Sequence, residues 1–139
     1  MLQGINGLWM NGSWAVYKDG VGALTAPNYS VWYADATSQL FPVMQGVIAP
    51  GDTRSQQVYA NFNAAWPGWS NLSFNSVDSF PWVMIADAAA VMGDTARVNT
   101  YINNIQSKYV ANGFPWPWYN MEAGWFMRLN AYMMGQRPL

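Results

Sequence analysis

Two kinds of helical segment alternate along this chain and recur about every 43 residues. One kind is apolar on most sides. It runs from Asp35 to Gly46, again from Asp78 through Phe80-Pro81-Trp82-Val83-Met84-Ile85-Ala86 to Gly93, and a third time from Met121 through Glu122 to Met134, ending at Gly135. The other kind is one-sided. After Asp52 its apolar positions are Val58, Phe62, Ala65 and Trp66, closed by Pro67-Gly68. After Asp94 they are Val98, Tyr101, Ile102, Ile105 and Tyr109, closed by Asn112-Gly113. Those intervals are the stripe of an amphipathic helix. Asp35 to Asp78 is 43 residues, Asp78 to Glu122 is 44, and Asp52 to Asp94 is 42, the last two acids both standing in Gly-Asp-Thr. An all-round apolar helix must be covered on all sides, whereas a striped one can face water. The expected solution is an inner layer of apolar helices and an outer layer of striped ones. Helical-hairpin arrays of this period curl into open solenoids or close into rings.

The first 30 residues read differently. Asn11-Gly12 lies between the β-prone runs Leu8-Trp9-Met10 and Ser13-Trp14-Ala15-Val16-Tyr17. Asn and Gly accept the positive φ that a two-residue hairpin turn needs. Lys18-Asp19-Gly20 reads as a second turn, and Gly22 to Tyr29 as a loop closed by Pro27. The expected fold is therefore all-α and a single domain over 1–139. A short β-hairpin and loop lead in over 1–30, and about three helical hairpins follow over 31–139.

Composition removes several chemistries. The chain has no Cys and no His among its 139 residues, so thiolates, imidazole bases and the usual zinc sites are excluded. No metal or other cofactor is expected. Lys and Arg total six, unclustered, against seven acids. Nucleic acid and membrane surfaces call for a basic stripe, so neither is an expected partner. No apolar run spans a bilayer and no signal peptide is visible. Proton-transfer chemistry falls mainly to the carboxylates. Nine Trp and an aromatic content of 17% have two readings. The rings pack a core, or some of them offer faces on which sugar rings stack.

Each apolar segment has an acid near its N-terminal end: Asp35, Asp78 and Glu122. If the segments run parallel, the three acids gather at one rim. An acid in that position also caps the helix, contributing about 0.5–2 kcal/mol. Asp52 and Asp94 read as caps of this sort, and Asp78 either as a cap or as a third carboxylate. Asp35 follows Trp32-Tyr33, and Glu122 follows Trp118-Tyr119. Aromatic walls desolvate a carboxyl and raise its pKa. A carboxyl poised as general acid beside a second carboxylate is the pair that glycoside hydrolysis uses. Asp87 and Arg128 fall inside apolar helices, where an unpaired charge is costly. Either they satisfy each other or nearby backbone, or Arg128 reaches a cavity and binds a substrate carboxylate.

The segments Trp32-Tyr33-Ala34-Asp35-Ala36-Thr37-Ser38-Gln39-Leu40-Phe41-Pro42 and Tyr119-Asn120-Met121-Glu122-Ala123-Gly124-Trp125-Phe126 resemble inner-helix starts of the six-hairpin glycosidase superfamily, the (α/α)6 toroids. The resemblance covers roughly 31–135. It implies carboxylates at the mouth of a toroid: Asp35 and Glu122, with Asp78 as a third. Trp32, Tyr33, Trp82, Trp118, Tyr119 and Arg128 would line the substrate cleft. An oligosaccharide is then the expected small-molecule partner. The toroid of that superfamily has six hairpins and this chain about three. Either the chain is a C-terminal half, or two copies associate to complete the ring, which makes a homo-oligomer the default.

Three functions are compatible with this reading. The first is a glycoside hydrolase or part of one. The second is a sugar-binding module without the chemistry. The third is a helical-repeat protein that binds another protein through a concave face.

Overall fold

In the computed structural model the described backbone covers residues 2–73, 82–110 and 120–136, and the described side chains cover 4–73, 82–108 and 123–136. The chain is mainly α-helical with two small antiparallel strand pairs. It divides into two compact units. The first holds α1 (Leu2–Asn6), β1 (Trp9–Met10), β2 (Ser13–Trp14), β3 (Tyr17–Lys18), β4 (Leu24–Thr25), a wide helical turn (Trp32–Ala36), α2 (Phe41–Met44) and α3 (Thr53–Ala65). The second holds a tight helical turn (Trp69–Asn71), α4 (Val83–Val91), α5 (Thr95–Ile105), a wide turn (Gln106–Val110) and α6 (Asn120–Met133).

In the first unit, β1 pairs with β2 in the register Trp9 to Trp14 and Met10 to Ser13. The turn between them has Asn11 at φ 47° and Gly12 at φ 80°, the mirror-image turn that matches strand twist. Where the sequence reads as a loop after Gly22, Leu24–Thr25 instead pairs with Tyr17–Lys18. Asp19 makes this possible. Its Oδ1 accepts the amides of Val21 (3.0 Å) and Ala23 (2.7 Å), folding the turn tightly enough to return the chain.

The core of this unit joins the lead-in to α3. Trp14, Ile48 and Val58 are buried together, with Ile5 and Trp9 against them. Arg54 stacks over Trp14 at 5.5 Å and donates to Asn6 Oδ1. The buried Gln39 fixes β2 from the side. Its Oε1 accepts Trp14 N–H at 2.7 Å, and its Nε2 donates to Trp14 C=O at 3.0 Å. Both backbone groups of a buried strand residue are thus satisfied by one side chain.

The apolar segment from Asp35 to Gly46 is not one continuous helix. Tyr33 has extended backbone within the first turn (φ −114°, ψ 131°), and α2 starts only at Phe41. Pro42 is the physical reason. It has no N–H to offer the Ser38 carbonyl, and it fits only the first turn of a helix. In α3 the buried positions are Ser55, Val58 and Phe62. Ala65, expected in the stripe, is exposed, because the helix ends there and Pro67 follows.

In the second unit, α4 packs against both α5 and α6. Seven of its nine residues are buried: Val83, Ile85, Ala86, Asp87, Ala88, Ala89 and Ala90. This is the covered, all-round apolar helix that the pattern requires. By contrast α5 is one-sided, burying Val98, Tyr101, Ile102 and Ile105. Trp69 packs on Tyr101 with ring centroids 6.0 Å apart, and Asn104 donates to the Ser70 carbonyl. The third apolar segment, α6, buries Phe126 and Leu129 but leaves Met127 and Met134 exposed, so among its described side chains it is covered on one side only.

Three helices end alike. Gly46, Gly93 and Gly135 have φ of 66°, 80° and 70°. Each donates to the carbonyl three residues back, and the next residue donates to the carbonyl five back: Val47 to Pro42, Asp94 to Ala89 and Gln136 to Ala131. That is the Schellman motif, and it satisfies carbonyls the helix leaves open.

Candidate functional site

Asp35 stands in the first turn of Trp32–Ala36. Its Oδ2 accepts the Asn28 amide at 2.8 Å, closing the chain between those two residues. The Ser38 hydroxyl donates to the Asp35 carbonyl. Trp32 is only 2% exposed. Its ring lies 5.0 Å from that of Trp66 and 5.8 Å from that of Phe62. Trp66 in turn donates Nε1–H to the Tyr29 carbonyl at 2.8 Å. The aromatic residues behind Asp35 therefore form core, and Trp32 presents no face for a sugar. Tyr33 is the aromatic residue beside Asp35 that reaches solvent, 58% exposed.

Glu122 is the third residue of α6, at the positive end of the helix dipole. Its side chain lies outside the described residues, as does that of Tyr109. Asp78, Trp118, Tyr119 and the Asn112-Gly113 stop lie wholly outside them. Asp35 belongs to the first unit and Glu122 to the second, so neither unit contains the pair by itself. Trp82 caps α4 with extended backbone (φ −58°, ψ 126°) and is half-buried.

The structure does bring Asp87 and Arg128 together. Arg128 Nη2 donates to Asp87 Oδ2 at 2.7 Å, linking α6 to α4. The two ends of this pair differ: the Asp87 side chain is 2% exposed and that of Arg128 is 46%. Burial pushes the Asp87 carboxyl above its usual range, and the hydrogen bond and charge of Arg128 pull it back. Asp87 Oδ1 is buried and takes no hydrogen bond from the described residues.

The Gly-Asp-Thr acids are caps. Asp52 accepts the Arg54 amide at 2.8 Å and two bonds from its guanidinium. Arg54, through its side-chain hydrogen bonds first, holds the Asp52 carboxyl down to about 2. Asp94 accepts the Arg97 amide and guanidinium at 3.2 and 2.6 Å. Among the described residues, no three acids gather where they could hold a metal, and no helix is long and apolar enough to cross a membrane.

Gln39 is the residue the sequence reading missed. Its cue was a polar amide between Thr37-Ser38 and Leu40-Phe41, in a run otherwise bound for burial. Comparison of the chain with protein-family models, with curated proteins and with solved structures finds no match.

Proposed function

We propose that this chain is a carbohydrate-active protein built as part of a glycosidase-like α/α toroid, with Asp35 and Glu122 as its working carboxylates and Asp78 as a third. The observation that carries the reading is the recurrence of one design. Apolar segments end in the same glycine motif, and the first and third carry an acid in the opening turn. Between them a covered helix, α4, alternates with the one-sided α5. Tyr33 beside Asp35 supplies an exposed aromatic surface for an oligosaccharide.

Hydrolysis of an oligosaccharide panel tests the reading. Glu122→Gln should abolish turnover and leave the far-ultraviolet spectrum unchanged; a variant that turns over at the wild-type rate refutes the assignment. The exposed Met127 and Met134 of α6 support completion of the ring by a second copy. A solution mass of one chain would exclude it.

One observation favours a second reading, a sugar-binding module without chemistry. The Asp35 carboxylate is already engaged by the Asn28 amide, which takes one of its oxygens from proton transfer. Calorimetry showing saccharide binding without turnover would select this version.

A further inference from the structure

Arg128 is held from below and open from above. One of its five N–H donors is used by Asp87, and no described residue accepts from the other four. A guanidinium is planar, so its remaining donors share one plane with the bonded nitrogen, and that bond narrows the directions in which they point. The carboxylate that does the fixing is enclosed in α4, between Ala86 and Ala88, which are 0% exposed. The guanidinium itself is half in solvent. Gly124 stands one turn before Arg128 on α6. A side chain at Gly124 would meet nothing within 4 Å. Among the described residues, nothing covers α6 at Gly124.

We propose that Arg128, oriented by Asp87, is a docking point for a carboxylate group of the ligand. Resting on the carbohydrate reading above, this makes the ligand class an acidic saccharide, one whose sugar carries a carboxylate. Two parallel N–H···O bonds from a fork to a carboxylate are directional as well as charge-assisted. Asp87 is a positioning residue: it touches no ligand, and it sets the angle of the group that does.

The test is calorimetric titration of the whole chain with three probes. These are a trimer of galacturonic acid, the same trimer as its neutral methyl ester, and acetate. The acid should bind roughly tenfold to a hundredfold more tightly than the ester, the range for charge-assisted hydrogen bonds. Arg128→Gln should erase that ratio. Arg128→Lys, which keeps the charge and loses the fork, should reduce it. Asp87→Asn should also reduce it. A purely structural role for Asp87 would leave the acid-to-ester ratio unchanged in whatever folded protein remains. If Asp87→Asn does not fold, the Arg128→Lys arm decides alone. Equal binding of acid and ester overturns the proposal and leaves the carbohydrate reading standing. So does binding of a neutral panel saccharide when neither trimer binds. Acetate binding as tightly as the acid trimer overturns the saccharide class. Failure of every saccharide, neutral and acidic, overturns both.

Discussion

Replacing Gly93 by Ala changes one thing. Gly93 ends α4 at φ 80°, and a Cβ placed on it meets nothing within 4 Å, so the substitution creates no clash with a neighbour. What remains is the conformational cost of holding an L-residue in the left-handed region, roughly 1–2 kcal/mol. Against it stands the loss of freedom in the unfolded chain, which favours Ala by about 0.4–1 kcal/mol. The net destabilisation is therefore about 1 kcal/mol. Gly124 provides the control in the same unit. It lies inside α6, has equally open space around it, and is not among the positive-φ glycines. There Ala should stabilise by about 0.8–1 kcal/mol, the helix-propensity difference. The two substitutions are chemically identical, and they should move urea midpoints in opposite directions, about 2 kcal/mol apart. Gly93→Asn should fall between Gly93→Ala and wild type, because Asn visits the left-handed region more readily. If Gly93→Ala proves as stable as wild type while Gly124→Ala gains stability, the Schellman assignment at the end of α4 is wrong.

Two further outcomes follow from the first unit. Gln39→Leu keeps the volume but strips both partners from the Trp14 backbone. Each buried group left unpaired costs about 1–3 kcal/mol, so a loss of about 2–6 kcal/mol is expected in urea unfolding, and a near-neutral result would refute the clamp. Asp52, lowered from 3.8 to about 2, contributes stability that is fully present above 3.8 and is lost as pH falls through about 2. Asp52→Asn should flatten the acid limb of the stability profile over that window, less so at high salt because the group is partly open to solvent. Parallel profiles for the two proteins would contradict the pairing with Arg54.

Much of this was legible in the chain because the physics is local. Asn11-Gly12 permits one kind of turn, the acid of Gly-Asp-Thr caps a helix through an amide two or three residues on, and Gly93 stops α4 through backbone alone. The Asp87–Arg128 pair was legible for a different reason. A charge in a helix like α4 must find a counter-charge, and few were on offer. The errors arose where the deciding partner was distant or where two local rules competed. Trp32 is core because Phe62 and Trp66, some 30 residues on, close over it; its neighbours in sequence carry no trace of that. Pro42 overruled an apolar pattern that otherwise read as continuous helix. Leu24 pairs with Lys18 only because Asp19 draws the chain back.

The burial of α4 on every side makes it the part of the molecule least free to vary. Four of its seven buried residues are alanines, so its neighbours approach close to its backbone, and an added methyl group has nowhere to go. Variation compatible with folding should therefore drain away from 83–91 and collect on the outward flanks of α3 and α5. Over generations this helix would behave as an axle, nearly constant while the parts turning around it are rewritten.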